Sequence, residues 1–136
     1  MTEPAVRHRV LVIDDEESTR LLIARSLSQD LELEPMLAGT CEQALRLAGN
    51  YAFDAILLDV LMPGVGGLGV LTEIRSSSPN ASTPVIMVSV VSDRETVDRC
   101  LAAGANAYHV KPVRRPELIE TVKAQIAARR KPRILS

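Results

Sequence analysis

Five positions carry side chains that can do chemistry together: Asp14 with Asp15, Asp59, Ser89 and Lys111. Each closes a short apolar run or lies just past one. The runs are Val10-Leu-Val-Ile13, Ala55-Ile-Leu-Leu58, Val85-Ile-Met-Val88 and Ala107-Tyr-His-Val110. If these runs are parallel strands of one sheet, their C-terminal ends share an edge, where open α/β sheets place ligand sites. Three carboxylates, a hydroxyl and an ammonium then meet in one pocket. Carboxylates that close repel one another, so the cluster implies a bound cation.

The elements that must position these groups are legible from periodicity. Segments of helical period follow each apolar run: Ser18 to Gln29 with Ile23 and Leu27, and Thr40 to Ala48 with Cys41, Ala44, Leu45 and Ala48. Gly67 to Ser76 carries Leu68, Leu71 and Ile74, and Asp93 to Ala103 carries Val97 and Leu101 before Gly104. Pro116 to Ala128 carries Leu118, Ile119, Val122 and Ile126. Thr40 is placed to cap the second helix. The alternation predicts five βα units, a doubly wound five-stranded parallel sheet with helices on both faces. The run Leu33-Glu-Pro-Met-Leu37 is mixed in character, and Pro35 removes a ladder donor, so this second strand belongs at an edge. The runs at 10–13, 55–58 and 85–88 are continuously apolar, as strands buried on both faces are. The flavodoxin-like order 2-1-3-4-5 satisfies both conditions.

Composition bounds the function. A chain of 136 residues, 46% hydrophobic and 24% charged, fits one domain with a real core. A net charge of −1 gives no general pull toward nucleic acid or membrane, and 2% aromatics leave no stacking platform for bases. The start Met1-Thr-Glu-Pro4 lacks the apolar core of a signal peptide, and no apolar stretch is long enough to span a bilayer, so a cytoplasmic protein is expected. Cys41 and Cys100 form no CxxC pair and are expected as free thiols on buried helix faces. His8 and His109 lack partners at metal-ligand spacing, and Gly64-Val-Gly-Gly67 lacks the pattern of a phosphate-binding loop.

Singly, each reactive position has a plainer reading. An Asp-Asp pair after a strand often caps a helix, Ser89 can be a strand-end hydroxyl, Tyr108 a strand residue and Lys111 a surface lysine. Their coincidence at one sheet edge is what points to a site.

Taken in order, these residues resemble the receiver domain of two-component response regulators. The match runs from about Val10 to Ala128, through Val-Ile-Asp14-Asp15-Glu, Leu-Leu-Asp59-Val-Leu-Met-Pro63 followed by Gly67, Ser89 at the end of the fourth strand, Tyr108, and Lys111-Pro112. The resemblance implies a receiver domain over residues 8–129, an N-terminal tail over 1–7, and a tail or linker stub over 130–136 that overlaps the basic stretch Arg129-Arg-Lys-Pro-Arg133. It implies that Asp59 accepts a phosphoryl group from a sensor histidine kinase or a phosphotransfer protein. Asp15 and Asp59 are then direct ligands of Mg²⁺ with the main-chain oxygen of Leu61, while Asp14 holds a metal-bound water. Lys111 pairs with one phosphoryl oxygen and Ser89 donates to another. Tyr108 is expected outward in the inactive state and turns in as Ser89 moves, reshaping the surface of the fourth helix, fifth strand and fifth helix. That surface allows a phosphorylation-dependent homodimer. The Lys111-Pro112 peptide is expected to be cis.

Three departures from the family pattern bear on the pocket. Gly66 stands where a polar residue is usual and is expected to loosen the loop; Val90 is expected to crowd the site; Val113 replaces a frequent Phe. The resemblance makes the chain a signalling domain rather than an enzyme, one that catalyses its own phosphorylation and slow dephosphorylation. The alternative is a phosphorylation-independent interaction module on the same fold. An aspartate-nucleophile phosphatase needs a second acid two residues after the nucleophile, where this chain has Leu61, and a flavin site needs aromatics.

Overall fold

The computed structural model describes residues 7–130. Ten elements alternate along it: β1 His8–Ile13, α1 Glu17–Ser28, β2 Leu33–Ala38, α2 Cys41–Asn50, β3 Ala55–Leu58, α3 Gly66–Ser77, β4 Val85–Ser89, α4 Arg94–Ala102, β5 Ala107–Val110 and α5 Arg115–Arg130. The strands are all parallel, in the order β2-β1-β3-β4-β5. Pro35 lies on β2, at the edge, where its missing N–H breaks no ladder on a second side. Every residue of β3 and β4 is buried, which explains why their sequences do not alternate.

Successive strand residues feed two separate cores. Leu11, Ile13, Ile56, Leu58 and Met87 pack with Ala44, Ala48, Leu71, Ile74 and Cys100 from α2, α3 and α4. Val10, Val12, Leu57, Ile86 and Val88 pack with Ile23, Leu27, Leu118, Val122 and Ile126 from α1 and α5. The sheet is thereby covered by helices on both faces. Among the described residues no helix is long and apolar enough to cross a membrane.

Local signals set most boundaries. Thr40 Oγ1 accepts from Gln43 N at 3.0 Å and caps α2, and Asp93 Oδ2 accepts from Thr96 N at 3.0 Å and caps α4. Both cysteines are buried and free. Cys100 is fully buried on the inward face of α4 as expected, but Leu101, expected there too, is 44% exposed. With Arg94, Glu95, Asp98 and Arg99 on a helix of nine residues, the buried stripe is one residue wide. Spacings of three and four are then equally compatible with the sequence, and packing placed Cys100 rather than Leu101 against the core.

The opposite end of the sheet is tied by polar groups. Asn80 is fully buried; its Oδ1 accepts from Phe53 N (2.7 Å) and Thr83 Oγ1 (3.0 Å), and its Nδ2 donates to Ala48 O (2.7 Å) and Tyr51 O (2.8 Å). Arg75 donates to the carbonyls of Thr83 (2.7 Å) and Gly104 (2.8 Å). Arg129, read from sequence as the start of a basic tail, belongs to α5 and donates to Phe53 O at 3.1 Å. The expected tails lie outside the described residues, apart from Arg7 and Arg130 at their inner ends.

Candidate functional site

Register places the reactive positions side by side. Ile13 pairs with Leu58, Leu58 with Met87, and Ser89 with Val110. The residues just past these strand ends are Asp14, Asp59 and Lys111. Their backbones continue the ladder: Asp59 N donates to Ile13 O at 3.0 Å, Lys111 N to Ser89 O at 2.9 Å and Asp14 N to Ala38 O at 3.1 Å. The edge holds its side chains because its backbone is still sheet.

Carboxylate oxygens of Asp14, Asp15 and Asp59 lie within 4.8 Å of one another. Asp14 and Asp59 are buried and Asp15 is exposed, so the cluster opens to solvent on the Asp15 side. Lys111 Nζ bridges the two buried acids, 2.7 Å from Asp14 Oδ2 and 2.9 Å from Asp59 Oδ2. Burial pushes the Asp14 carboxyl above the usual carboxylate range, with the Lys111 hydrogen bond working against it. Burial also disfavours the Lys111 ammonium, but its hydrogen bonds to Asp14 and Asp59 outweigh that and hold its pKa above the ordinary lysine value. One ammonium faces three carboxylates, so the pocket retains negative charge that a cation can take up. The donors are all oxygens, and they suit a hard divalent ion such as Mg²⁺ that keeps several waters.

The β3–α3 loop presses on Asp59 from below. Asp59 Oδ1 accepts from Leu61 N at 3.1 Å, which leaves Oδ2 directed at Lys111. Gly66 has φ +75°, a conformation that disfavours other residues, so it shapes the turn into α3 rather than loosening it. At Gly67 the chain passes so close to Asp59 that a Cβ would stand 2.0 Å from its carbonyl oxygen.

Val90 and Tyr108 stand at the rim of the site. Val90 is 61% exposed and lines a cavity with Thr19, Leu22, Lys111 and Pro112, so it borders the site on the Lys111 side and is open to solvent. Tyr108 is turned inward: its ring is half-buried and its hydroxyl donates to Val91 O at 2.6 Å. Ser89 is fully buried with Oγ accepting from Val91 N at 3.2 Å, so Ser89 and Tyr108 grip the same loop residue. The loop thus draws the ring in through a main-chain carbonyl, which no side-chain pattern in the sequence announces. The Lys111–Pro112 peptide is cis.

Sequence reasoning missed Arg20, whose Nη1 donates to the main-chain oxygen of Asp14 at 2.8 Å. It also missed Glu16, whose N–H donates to Asp14 Oδ1 at 2.9 Å. The one signal available was an arginine on the otherwise mixed face of the first helix, six residues past Asp14.

The response regulator receiver domain family matches residues 10–123. The phosphate regulon transcriptional regulatory protein PhoB of Rhizobium meliloti is 33% identical over 129 residues, covering 94% of this chain and 56% of that protein. The transcriptional regulatory protein MalR of Bacillus subtilis is 36% identical over 105 residues, covering 76% of this chain and 43% of that protein. The chain thus spans about half the length of these curated relatives. Among solved structures, the chemotaxis protein CheY4 of Vibrio cholerae superposes with a TM-score of 0.81 at 30% identity, covering 88% of this chain and 98% of that one. The receiver domain of sensor histidine kinase PA1611 from Pseudomonas aeruginosa, which has a magnesium ion coordinated in its active site cleft, superposes with a TM-score of 0.82 at 28% identity. It covers 90% of this chain and 99% of that one. Likeness in both sequence and fold over nearly the whole domain has one source, and the chain belongs to the response regulator receiver domains of two-component systems.

Proposed function

We propose that Asp59 is the phosphoacceptor of a phosphorylation-driven switch spanning residues 8–129. The observation that carries the reading is the bridge of Lys111 to both Asp14 and Asp59 at a strand edge where Asp15 also converges. A carboxylate oxygen of Asp59 attacks the phosphorus of a phosphohistidine on a sensor histidine kinase or a phosphotransfer protein. A P–O bond forms, the P–N bond breaks, and the departing imidazole keeps the electron pair. Asp14, Asp15, Asp59 and the main-chain oxygen of Leu61 would hold Mg²⁺. When bound, the ion offsets the charge of the incoming phosphoryl oxygens. Lys111 releases Asp59 to pair with one phosphoryl oxygen, and Ser89 donates its hydroxyl to another.

The output is the surface of α4, β5 and α5, which Tyr108 reshapes and which allows a phosphorylation-dependent homodimer. On this reading the domain works in the cytoplasm, turns over no external substrate, loses its phosphate slowly, and touches neither nucleic acid nor membrane. The second reading is a phosphorylation-independent interaction module. The inward Tyr108 is the observation on its side, because the α4-β5-α5 surface then already has the arrangement the switch is to produce.

Acetyl phosphate with Mg²⁺ is expected to add one phosphoryl mass to the protein, with EDTA suppressing the reaction and Asp59→Asn abolishing it. Undiminished labelling of the Asn variant removes the assignment. A chain that never labels, yet binds its partner equally well with Asp59→Asn, supports the second reading.

A further inference from the structure

Arg20 and Gly39 bear on the acidic edge without belonging to it. Arg20 is half-buried near the start of α1, and its guanidinium lies over Gly39 in the β2–α2 loop. A Cβ at Gly39 would stand 2.8 Å from Arg20 Nη1 and 3.1 Å from Cζ, so glycine leaves the space the guanidinium occupies. The loop has little freedom to retreat. Gly39 N donates to Gln43 Oε1 at 2.9 Å, and the next residue, Thr40, caps α2.

Arg20 uses that seat to hold one atom of the site, donating to the main-chain oxygen of Asp14 at 2.8 Å. That oxygen belongs to the peptide plane joining Asp14 to Asp15. Asp14 has other restraints: its N–H donates to Ala38 O, its Oδ1 accepts from Glu16 N, and its Oδ2 accepts from Lys111. Asp15 has none of these. Its exposed carboxylate makes no ion pair or hydrogen bond among the described residues. Its place within the carboxylate cluster is therefore set by the backbone that carries it. Arg20 itself pairs with no carboxylate among the described residues, so it orients the cluster without neutralising it.

We propose that Arg20, seated in the space left by Gly39, is a positioning residue for the cation site: it fixes the Asp14–Asp15 peptide plane and, through it, the Asp15 carboxylate. The proposal rests on reading the acidic edge as the Mg²⁺ site. Residues that orient ligands from behind typically change metal affinity by about 10–100-fold when lost.

The test is Mg²⁺ titration of the full chain by calorimetry, with the Asp15 amide shift and the melting temperature recorded alongside. Arg20→Met is expected to raise the Mg²⁺ Kd about tenfold and move the Asp15 amide, and Arg20→Lys to recover part of the affinity. Gly39→Ala crowds only Nη1, the flexible end of the side chain, and is expected to weaken binding less than Arg20→Met does. In the Arg20→Met background it is expected to add nothing, since the group it crowds is gone. Wild-type Mg²⁺ affinity in a folded Arg20→Met protein overturns the proposal, as do fully additive effects of the two substitutions. If Arg20→Met does not fold, Arg20→Gln decides in its place, and wild-type Mg²⁺ affinity in that folded variant overturns the proposal. A wild-type chain that binds no Mg²⁺ overturns the site reading itself, a result distinct from every variant outcome.

Discussion

A single methyl group at position 67 should damage the site from beneath. The ideal Cβ of Gly67→Ala lies 2.0 Å from Asp59 O, 2.7 Å from Val60 Cα and 2.8 Å from Asp59 C, whereas real Cβ atoms keep at least 3.0 Å. All three neighbours are backbone, so no side chain can swing aside. The start of α3 and the end of β3 must part by about 1 Å. Forced overpacking of this kind costs about 1–3 kcal/mol. Gly67 N also donates to Val60 O at 2.9 Å, and weakening that bond adds about 1 kcal/mol. A total of about 2–4 kcal/mol lowers the melting temperature of a domain this size by about 8–15 °C. The displaced strand end carries Asp59, and a misplacement of about 1 Å costs about 100-fold in rate. The assays are thermal melting by circular dichroism and the initial rate of labelling by acetyl phosphate with Mg²⁺. Gly49→Ala is the control. Nothing lies within 4 Å of a Cβ there, so the substitution is expected to stabilise α2 slightly, by about 0.5–1 kcal/mol, with labelling unchanged. A Gly67→Ala protein that melts and labels like wild type would refute the reasoning from close backbone approach.

Three further outcomes follow from other parts of the molecule. Asn80→Ala strips partners from buried Phe53 N and Ala48 O at the far end of the sheet, and denaturant melts are expected to show a loss of about 3 kcal/mol with Mg²⁺ affinity unchanged; loss of Mg²⁺ binding in the folded variant would contradict that separation. Leu61 is half-exposed two residues past Asp59, Val91 lies on the loop gripped by Ser89 and Tyr108, and the likeness to receiver domains implies that both apolar side chains border the approach of water. Leu61→Asn with Val91→Glu is expected to speed phosphate release from the phosphorylated protein about tenfold, equivalent to about 1.4 kcal/mol of barrier, and an equal or slower rate would rule out the apolar gate. The hydrogen bond from Lys123, with a second from Glu32 N, holds the Asp30 carboxyl below the usual carboxylate range, so its stabilisation is present above the unfolded pKa and lost as pH falls through the folded one. Asp30→Asn should therefore flatten the acid limb of the stability profile, and an acid limb identical to wild type would show that the pair contributes nothing.

The fold was readable because its signals are local. Continuous apolar runs mark β1, β3 and β4 wherever helices cover both faces, and Pro35 marks an edge by chemistry it carries in any context. Strand ends then name Asp14, Asp59, Ser89 and Lys111 as neighbours, since parallel strands in register bring their C-terminal residues together. The details that depend on distant partners were not readable. On the charged α4 the burial of Cys100 was readable, but that Leu101 would be left exposed was not. Tyr108 turned inward because Val91 presented a carbonyl to its hydroxyl. Arg20 reaches Asp14 across space that Gly39, on another strand's loop, leaves open. The sequence by itself determined which residues end the strands, because backbone periodicity and burial depend on near neighbours. Only the tertiary structure decided where their side chains and supports point, because rotamers are chosen by atoms that the fold delivers from far along the chain.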